Sequence, residues 1–398
     1  MTIHSKFKSL IVVALLSSIS SFAAVSAEDK NDVTAEATVA DAKLSFRDLP
    51  LLEKAYINTT PTVRNDAFPV GKLNVDAGQK AALIKLAEEM GKSKHGNYDS
   101  LLVTHKGKLV FESYFRRGRI NLAHGQASAT KGYTSLLLAR AMELGYLTMA
   151  DLEKPLISFL KDIDRSNLVE GAEKITLHKA LTMHGGLTID REEWEGVEKE
   201  PAQLQGQGLV QTLLEHSEPI TGETQVYKYG NYNPMLVMTV IEAVTPGTAQ
   251  DFIKTEFLDK LGIEDYIWRD HVSGLPEAGW RVSMTSRDML KIGSIVLNDG
   301  KWNGEQFVSA DYLEEATSGL VKPTEDWMPD SYRYGYFWYQ APFNVGDKSY
   351  NATFAWGGGG QRVIVIDDLD LTIVITGHDR EDEIMAQIEN IVVPAFAE

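Results

Sequence analysis

The sequence predicts an α+β protein: an antiparallel sheet built from both chain ends and flanked by helices, with an inserted all-helical lobe. Three observations carry this. Two β-type runs, Leu101–Thr104 and Leu109–Tyr114, flank the turn His105-Lys106-Gly107-Lys108 in the first third of the chain. From Ser128 to about Gly262 apolar residues recur mostly at helical spacing. Beyond Tyr334 the pattern returns to β-type runs. Strands joined by short turns are antiparallel, and a cleft is expected where the helical lobe meets the sheet.

The elements follow in order. Residues 1–27 read as a cleavable secretory signal: Lys6 and Lys8 precede the apolar Leu10–Ala24, and Val25-Ser26-Ala27 is a small-residue cleavage site. Residues 28–43, polar and Ala/Asp/Glu-rich, read as a flexible leader. Val75–Met90 has a helical face (Leu83, Leu86, Met90) and stops at Gly91. After the hairpin, helical faces recur at Ser135–Leu144, Leu156–Leu160, Leu177–Met183, Leu209–Leu214, Met235–Val244 and Phe252–Leu261. Thr285 and Ser286 cap a further helix, Asp288–Leu297. Strands are expected at Tyr334–Tyr339, Ala352–Trp356, Arg362–Ile366 and Leu371–Thr376, and an amphipathic helix at Glu383–Val393. The organisation is one domain over 44–398. Its α/β lobe takes about 44–127 and 275–398, and its helical lobe about 128–274.

The 398 residues are 43% hydrophobic and 24% charged, the composition of a packed globular chain. The net charge of −17 argues against phosphate-mediated nucleic-acid binding and against docking on anionic lipid. No cysteine is present, which excludes disulfides, thiolate metal sites and a cysteine nucleophile. The nine histidines have no metal-ligand spacing, so neither a metal nor a cofactor is expected. The mature chain is expected to lack a membrane span.

Chemistry concentrates at Ser128-Ala129-Thr130-Lys131. On a helix, residues three apart share a face, so the Lys131 amine can sit beside the Ser128 hydroxyl. A serine hydroxyl needs a neighbouring base to become a nucleophile. The same Ser-x-x-Lys spacing at Ser5–Lys8 lies in the signal segment, and that at Ser158–Lys161 reads as a solvated helix edge. Tyr229-Gly230-Asn231 follows 101 residues after Ser128. A tyrosine can shuttle a proton, and an asparagine can bond both an ammonium and a substrate carbonyl. Tyrosine titrates near pH 10, so a basic Tyr229 requires a neighbour such as Lys131 to lower it. Trp356-Gly357-Gly358-Gly359-Gly360-Gln361 lies between two expected strands, where missing Cβ atoms admit a ligand to the backbone.

This order of motifs resembles the serine β-lactamase/penicillin-recognising superfamily, and especially its class C branch: EstB-type esterases, D-stereospecific peptidases and 6-aminohexanoate-dimer hydrolases. Ser128–Leu138 is similar to that family's nucleophile helix, Leu181–Thr188 to its LLTHTSGL segment, and Thr285–Gly304 to its RD…G…LNGG block. The resemblance implies that Ser128 is acylated, Lys131 activates it, and Tyr229 acts as base and then acid. It implies that Asn231 orients Lys131 and the substrate. Ser128 N–H with Gly358 or Gly359, on the strand led by Trp356, would form the oxyanion hole. Where the family carries a strand cation that engages a substrate carboxylate, this chain has Trp356-Gly357-Gly358. An ester or linear amide is therefore expected in preference to a β-lactam. The implied activity is that of an exported, periplasmic or secreted serine hydrolase on a small-molecule ester, amide or peptide. The alternatives are a penicillin-binding or D-peptide-binding protein that acylates without turnover, and an acyltransferase. His184 and Trp194, the latter in the acidic stretch Asp190–Glu200, are placed at the rim of the cleft.

Overall fold

Alternation of side chains along β-strands organises the core. In Gln361–Ile366 and Leu371–Gly377 the paired residues are Arg362/Ile375, Val363/Val374, Ile364/Ile373 and Val365/Thr372. Cross-strand partners point to the same face, so Val363, Val365, Thr372 and Val374 share one side and Ile364, Leu371 and Ile373 the other. Both sides are buried, so both strands read as continuous apolar runs.

The computed structural model describes residues 34–66, 68–76, 78–379 and 381–397. The signal segment lies outside them, as does the first part of the leader. The described end of the leader is docked: Ala35 is buried and its carbonyl accepts from Ile120 N–H, while Ala37 N–H donates to Asn121 Oδ1. Flexibility over the whole of 28–43 is thus corrected at this end.

Thirteen strands are present among the described residues: β1 Tyr56–Asn58, β2 Tyr98–His105, β3 Lys108–Tyr114, β4 His124–Gly125, β5 Tyr266–Trp268, β6 Val282–Met284, β7 Lys301–Trp302, β8 Glu305–Gln306, β9 Arg333–Tyr334, β10 Tyr339–Val345, β11 Lys348–Gly357, β12 Gln361–Ile366 and β13 Leu371–Gly377. The main sheet has eight strands in the order β1-β3-β2-β13-β12-β11-β10-β9, with antiparallel neighbours throughout. β13 pairs with β2, so the two chain ends form one sheet. The β2–β3 turn places Lys106 at φ 49 and Gly107 at φ 70, the left-handed pair of a type I′ hairpin.

The helices are α1 Lys80–Gly91, α2 Thr130–Glu143, α3 Leu177–Leu181, α4 Arg191–Val197, α5 Gly208–Glu215, α6 Tyr232–Val244, α7 Ala249–Phe252, α8 Ser286–Leu297, α9 Ala310–Ala316, α10 Ile384–Gln387 and α11 Val393–Phe396. α8 lies on the Val363/Thr372 face. A Cβ on its Gly293 would come within 2.4 Å of Thr372 Cγ2, so only glycine permits this approach. The terminal helices cover the opposite face, where Phe396 meets the His105 ring at 5.5 Å.

Several expectations are corrected. The Val75–Met90 helix begins only at Lys80, because Asn74 and Gly78 adopt positive φ. Tyr334–Tyr339 is not one strand: Phe337 at φ 65 breaks it, and the long strand starts at Tyr339. The 156–160 helix is a short 3₁₀ turn, Leu156–Phe159. The 252–261 and 383–393 helices each pass through a π-helical turn. Asp190–Glu200 holds α4, capped by the Asp190 carboxylate on the Glu192 and Glu193 N–H groups. A three-stranded sheet, β4-β6-β5, joins the helical insertion to the segment just before Ser128.

The front of the chain is also locked to α8 by charge. Arg287 donates to Glu112 on β3 at 2.8 and 2.7 Å and to Asp66 at 2.6 Å, with Arg287 and Glu112 fully buried. Removing one partner of such a group strands buried charge and costs about 3–5 kcal/mol. Arg287→Met should therefore lower unfolding free energy by about that amount, read from urea melts.

Candidate active site

The turn that carries Ser128 is a single 3₁₀ turn, Ala127–Ala129, between β4 and α2. Ala127 sits at φ 46, a left-handed conformation that costs a non-glycine residue about 1–2 kcal/mol. It redirects the chain so that Ser128 is half-buried at the mouth of α2, and Lys131, one turn on, is fully buried.

Lys131 Nζ is held by three oxygens: Asn231 Oδ1 at 2.9 Å, Gly279 carbonyl at 3.0 Å and Ser128 Oγ at 3.3 Å. It also lies 4.8 Å from the centre of the Tyr229 ring. Burial pushes the amine down to about 7, against a weaker upward pull from Glu277. Its contacts span α2, the residue before α6, and the 275–281 loop. Thr134 of α2 reinforces that loop by donating to the Ala278 carbonyl at 2.7 Å.

The Tyr229 hydroxyl is in hydrogen-bonding reach of the Ser128 and Tyr339 hydroxyls. Burial raises its pKa above the ordinary value; those two bonds oppose the rise, and Glu325 adds to it. The expected lowering of Tyr229 by Lys131 is therefore replaced by the reverse: the lysine is the group brought near neutrality, and it cannot lend a full charge to the phenol.

The strand wall is β11. Tyr339, the first residue of β10, pairs with Phe354, so Ala355–Gly357 pair only with β12 and leave one edge open. A Cβ on Gly357 would stand 2.1 Å from the Gln126 carbonyl oxygen, so its absence lets this edge reach the turn that carries Ser128. On α2, a Cβ on Gly132 would meet Ala355 Cβ and the Trp338 ring at 3.2 Å, which sets the same spacing from the helix side. Gly358 is exposed, with open space around it, whereas Gly359 lies in the turn at φ 93 and its carbonyl accepts from Asp379 N–H.

A hydroxyl, a buried neutral-range amine, a phenol and an amide thus meet on a sheet edge. The sequence profile of the Beta-lactamase family matches residues 83–389. The chain belongs to the Beta-lactamase family. It is accordingly a serine hydrolase by family, an enzyme of the β-lactamase-like superfamily. A search of curated proteins finds no match. Among solved structures it is similar to a Bacillus anthracis protein provisionally designated a 6-aminohexanoate-dimer hydrolase, at 18% identity and TM-score 0.60, covering 93% of this chain and 97% of that one. It is similar to a D-stereospecific amidohydrolase from Streptomyces, at 15% identity and TM-score 0.59, over 78% and 98% of the two chains. A class C β-lactamase matches at 13% identity and TM-score 0.58, over 80% and 96%. At these identities the likeness is one of fold.

Within this enzyme the remaining expected residues fall as follows. Trp356 packs with Trp327 (5.4 Å), Tyr339 (5.4 Å) and Tyr332 (6.0 Å), and lies over the Arg362 guanidinium at 4.5 Å. Its path to Tyr229 runs through Trp327 and Tyr339. Trp194 is buried, and its indole donates to Glu198. It lines a pocket of about 400 Å³ with Asn231, Tyr232, His271, Glu277 and Trp280. His184 is half-buried: its Nδ1 faces the Thr182 carbonyl at 2.7 Å and its ring edge meets Tyr227.

Sequence reading missed Gly279, whose carbonyl has no side-chain signature. It also missed Trp327, whose ring is 55% exposed and 6.0 Å from Tyr229, and Glu325, which accepts Tyr229 N–H at 2.7 Å. An aromatic beside an acid in 325–327 was the available signal.

The amine's position near neutrality follows from burial among uncharged oxygens, so it is testable by adding charge. Asn231→Asp places a carboxylate at the 2.9 Å contact, and an opposite charge at that range should raise the Lys131 titration by about 1–3 pH units. NMR titration of the Lys131 side chain checks this.

Proposed function

We propose that the enzyme is an exported hydrolase that forms an acyl-enzyme at Ser128 and cleaves a linear ester or amide. The observation that carries the reading is the Lys131 amine, held near neutrality 3.3 Å from Ser128 Oγ. A fraction of it is unprotonated at neutral pH, and that form can accept the serine proton as Oγ attacks the substrate carbonyl. Tyr229 keeps its proton at that pH, because burial raises it. It serves as the acid: as the carbonyl–leaving-group bond breaks, the phenol protonates the leaving group and recovers a proton from the Lys131 ammonium. Water then attacks the acyl-serine, and the same groups return the proton to Ser128.

The Ser128 N–H and an N–H of Gly358 or Gly359 serve as the oxyanion hole, each such donor contributing about 3–4 kcal/mol in the transition state. Asn231 accepts from Lys131 with Oδ1, leaving its amide N–H₂ for the substrate. The pocket beside it, walled by Trp194, Tyr232 and Trp280, suits the acyl portion.

A β-lactam carboxylate finds poor support on the Trp356 side. The guanidinium there, Arg362, is fully buried beneath the indole and paired with Asp382. That favours linear substrates with no carboxylate on this side, and the structural similarities to proteins named as amidohydrolase and 6-aminohexanoate-dimer hydrolase favour an amide. The signal-like residues 1–27 support a periplasmic or secreted location.

Ser128→Ala should reduce p-nitrophenyl ester turnover by at least about 10⁴-fold while leaving the melting temperature within a few degrees. Retained turnover would remove the nucleophile assignment, and a single burst of product from the wild type would favour acylation without turnover. The wild-type kcat/KM should climb with pH through about 7, as free-enzyme Lys131 loses its proton, and then level off. Tyr229→Phe should cost about 10²–10⁴-fold in kcat, more for a poor leaving group such as an anilide than for p-nitrophenolate.

A further inference from the structure

Three side chains from distant parts of the sequence converge beside, but outside, the serine site. Asp99 Oδ2 lies 3.2 Å from His124 Nε2 and 2.6 Å from His378 Nδ1, and the three atoms lie within 4.8 Å of one another. Asp99 and His124 are buried; His378 is half-exposed. The other carboxylate oxygen, Asp99 Oδ1, accepts from Arg117 N–H at 3.1 Å, which leaves Oδ2 for the two imidazoles.

The hydrogen bond on the far side of His124 decides what the cluster lacks. His124 Nδ1 is 3.0 Å from the Gly125 carbonyl oxygen. A carbonyl can only accept, so Nδ1 carries the proton, and in the neutral ring Nε2 is a bare lone pair. That lone pair then faces a carboxylate oxygen, acceptor against acceptor, in a buried place. Either a proton on Nε2 or a cation between the two atoms resolves the conflict. A ring whose outer nitrogen donates to a backbone carbonyl while its inner nitrogen faces a carboxylate is oriented as a metal-ligating histidine is.

We propose that Asp99, His124 and His378 bind one divalent transition-metal ion of the zinc type. Two imidazoles and one carboxylate are a donor set for zinc, cobalt or nickel rather than for magnesium or calcium. Four-coordinate zinc keeps its ligand atoms about 3.3 Å apart at bonds of about 2.1 Å. The Asp99–His124 pair already has that spacing, and rotation of the half-exposed His378 ring supplies the rest. The exposed side of His378 admits water to the fourth position. Phe46 closes another side, stacked on His378 at 4.2 Å and edge-on to His124 at 4.8 Å. No ligand spacing shows in the sequence, because the ligands stand 25 and 254 residues apart.

The placement gives the ion a structural task. His124 is in β4, four residues before Ser128. His378 follows β13 and adjoins Asp379, whose N–H donates to the Gly359 carbonyl at 3.0 Å. An ion here ties the nucleophile turn to the glycine turn without touching substrate.

The test uses the whole mature protein with Ser128 blocked by a fluorophosphonate, so that the serine site is not a competing ligand. After chelation, equilibration with zinc and desalting, elemental analysis should return one equivalent in the wild type. Cobalt should give the intense visible band of a tetrahedral nitrogen/oxygen site. Zinc at a hundredfold excess over its Kd should raise Tm by about 4 °C. His378→Ala, which removes a half-exposed ring and so should fold, must lose the bound equivalent and the Tm shift; Asp99→Asn should lose both as well. Absence of bound zinc in the wild type, or one equivalent retained in His378→Ala, overturns the proposal. The first of those outcomes would make the cluster a carboxylate held by imidazolium rings, and it would leave the Ser128 assignment untouched.

Discussion

The active site depends on one constraint: an amine with no carboxylate in direct contact, buried where three separate segments must all supply oxygen to it. Lys131 Nζ is met by Asn231 Oδ1, the Gly279 carbonyl and Ser128 Oγ. An unpaired ammonium in such a place is costly, and the protein's answer is to let the amine lose its proton near neutrality rather than to pair it. That choice fits the lysine for the base role proposed for it. It also binds α2 to the start of α6 and to the 275–281 loop, so the group that needs burial is the group that assembles the cleft. Glu277 illustrates the balance: its carboxylate is close enough to act on Lys131 but is not among the atoms bonded to Nζ, and burial and Arg281 dominate its own state.

The sheet supplies the other half of the geometry. β11 is longer than its partner β10, and the overhang Ala355–Gly357 leaves one edge unpaired toward the Ser128 turn. Two glycines set the separation. Gly357 allows the strand to meet the Gln126 carbonyl, and Gly132 allows α2 to lie against Ala355 and Trp338. Neither glycine is at the chemistry, yet both fix where Ser128 stands relative to the strand.

Much of this was legible where the local pattern and the tertiary outcome agree. The β2–β3 hairpin shows as a turn between two β-type runs, and β12 and β13 show as apolar runs because both their faces are covered. The serine and lysine show because their spacing is intrinsic to a helix. What failed to show has tertiary causes. Phe337 in a left-handed conformation breaks an aromatic run that otherwise reads as one strand. β4, β5 and β6 are two or three residues long and gain their partners only from distant segments. Gly279 acts through a carbonyl, which every residue has. Tyr229's protonation state was misjudged because spacing says nothing about burial: the same dry pocket that lowers the amine raises the phenol.

The Trp356 side shows how one substitution in a motif propagates. With an indole at the strand position where the superfamily resemblance expects a cation, positive charge stays in the structure one strand over, as Arg362, directly across the pairing from Trp356. It is buried and neutralised by Asp382, so it packs against the indole and offers nothing to an anion in the cleft. Tyr332, Tyr339, Phe354 and Trp327 extend the indole into an aromatic wall that reaches Tyr229. Such a wall rewards flat or apolar leaving groups and gives a carboxylate no compensation for lost water. On the proposed reading, selectivity on this side would come from desolvation, whereas a strand cation would set it by charge pairing. The Tyr229 ring touches both this wall and the Lys131 amine, so the proposed substrate preference and the proposed base meet at one side chain.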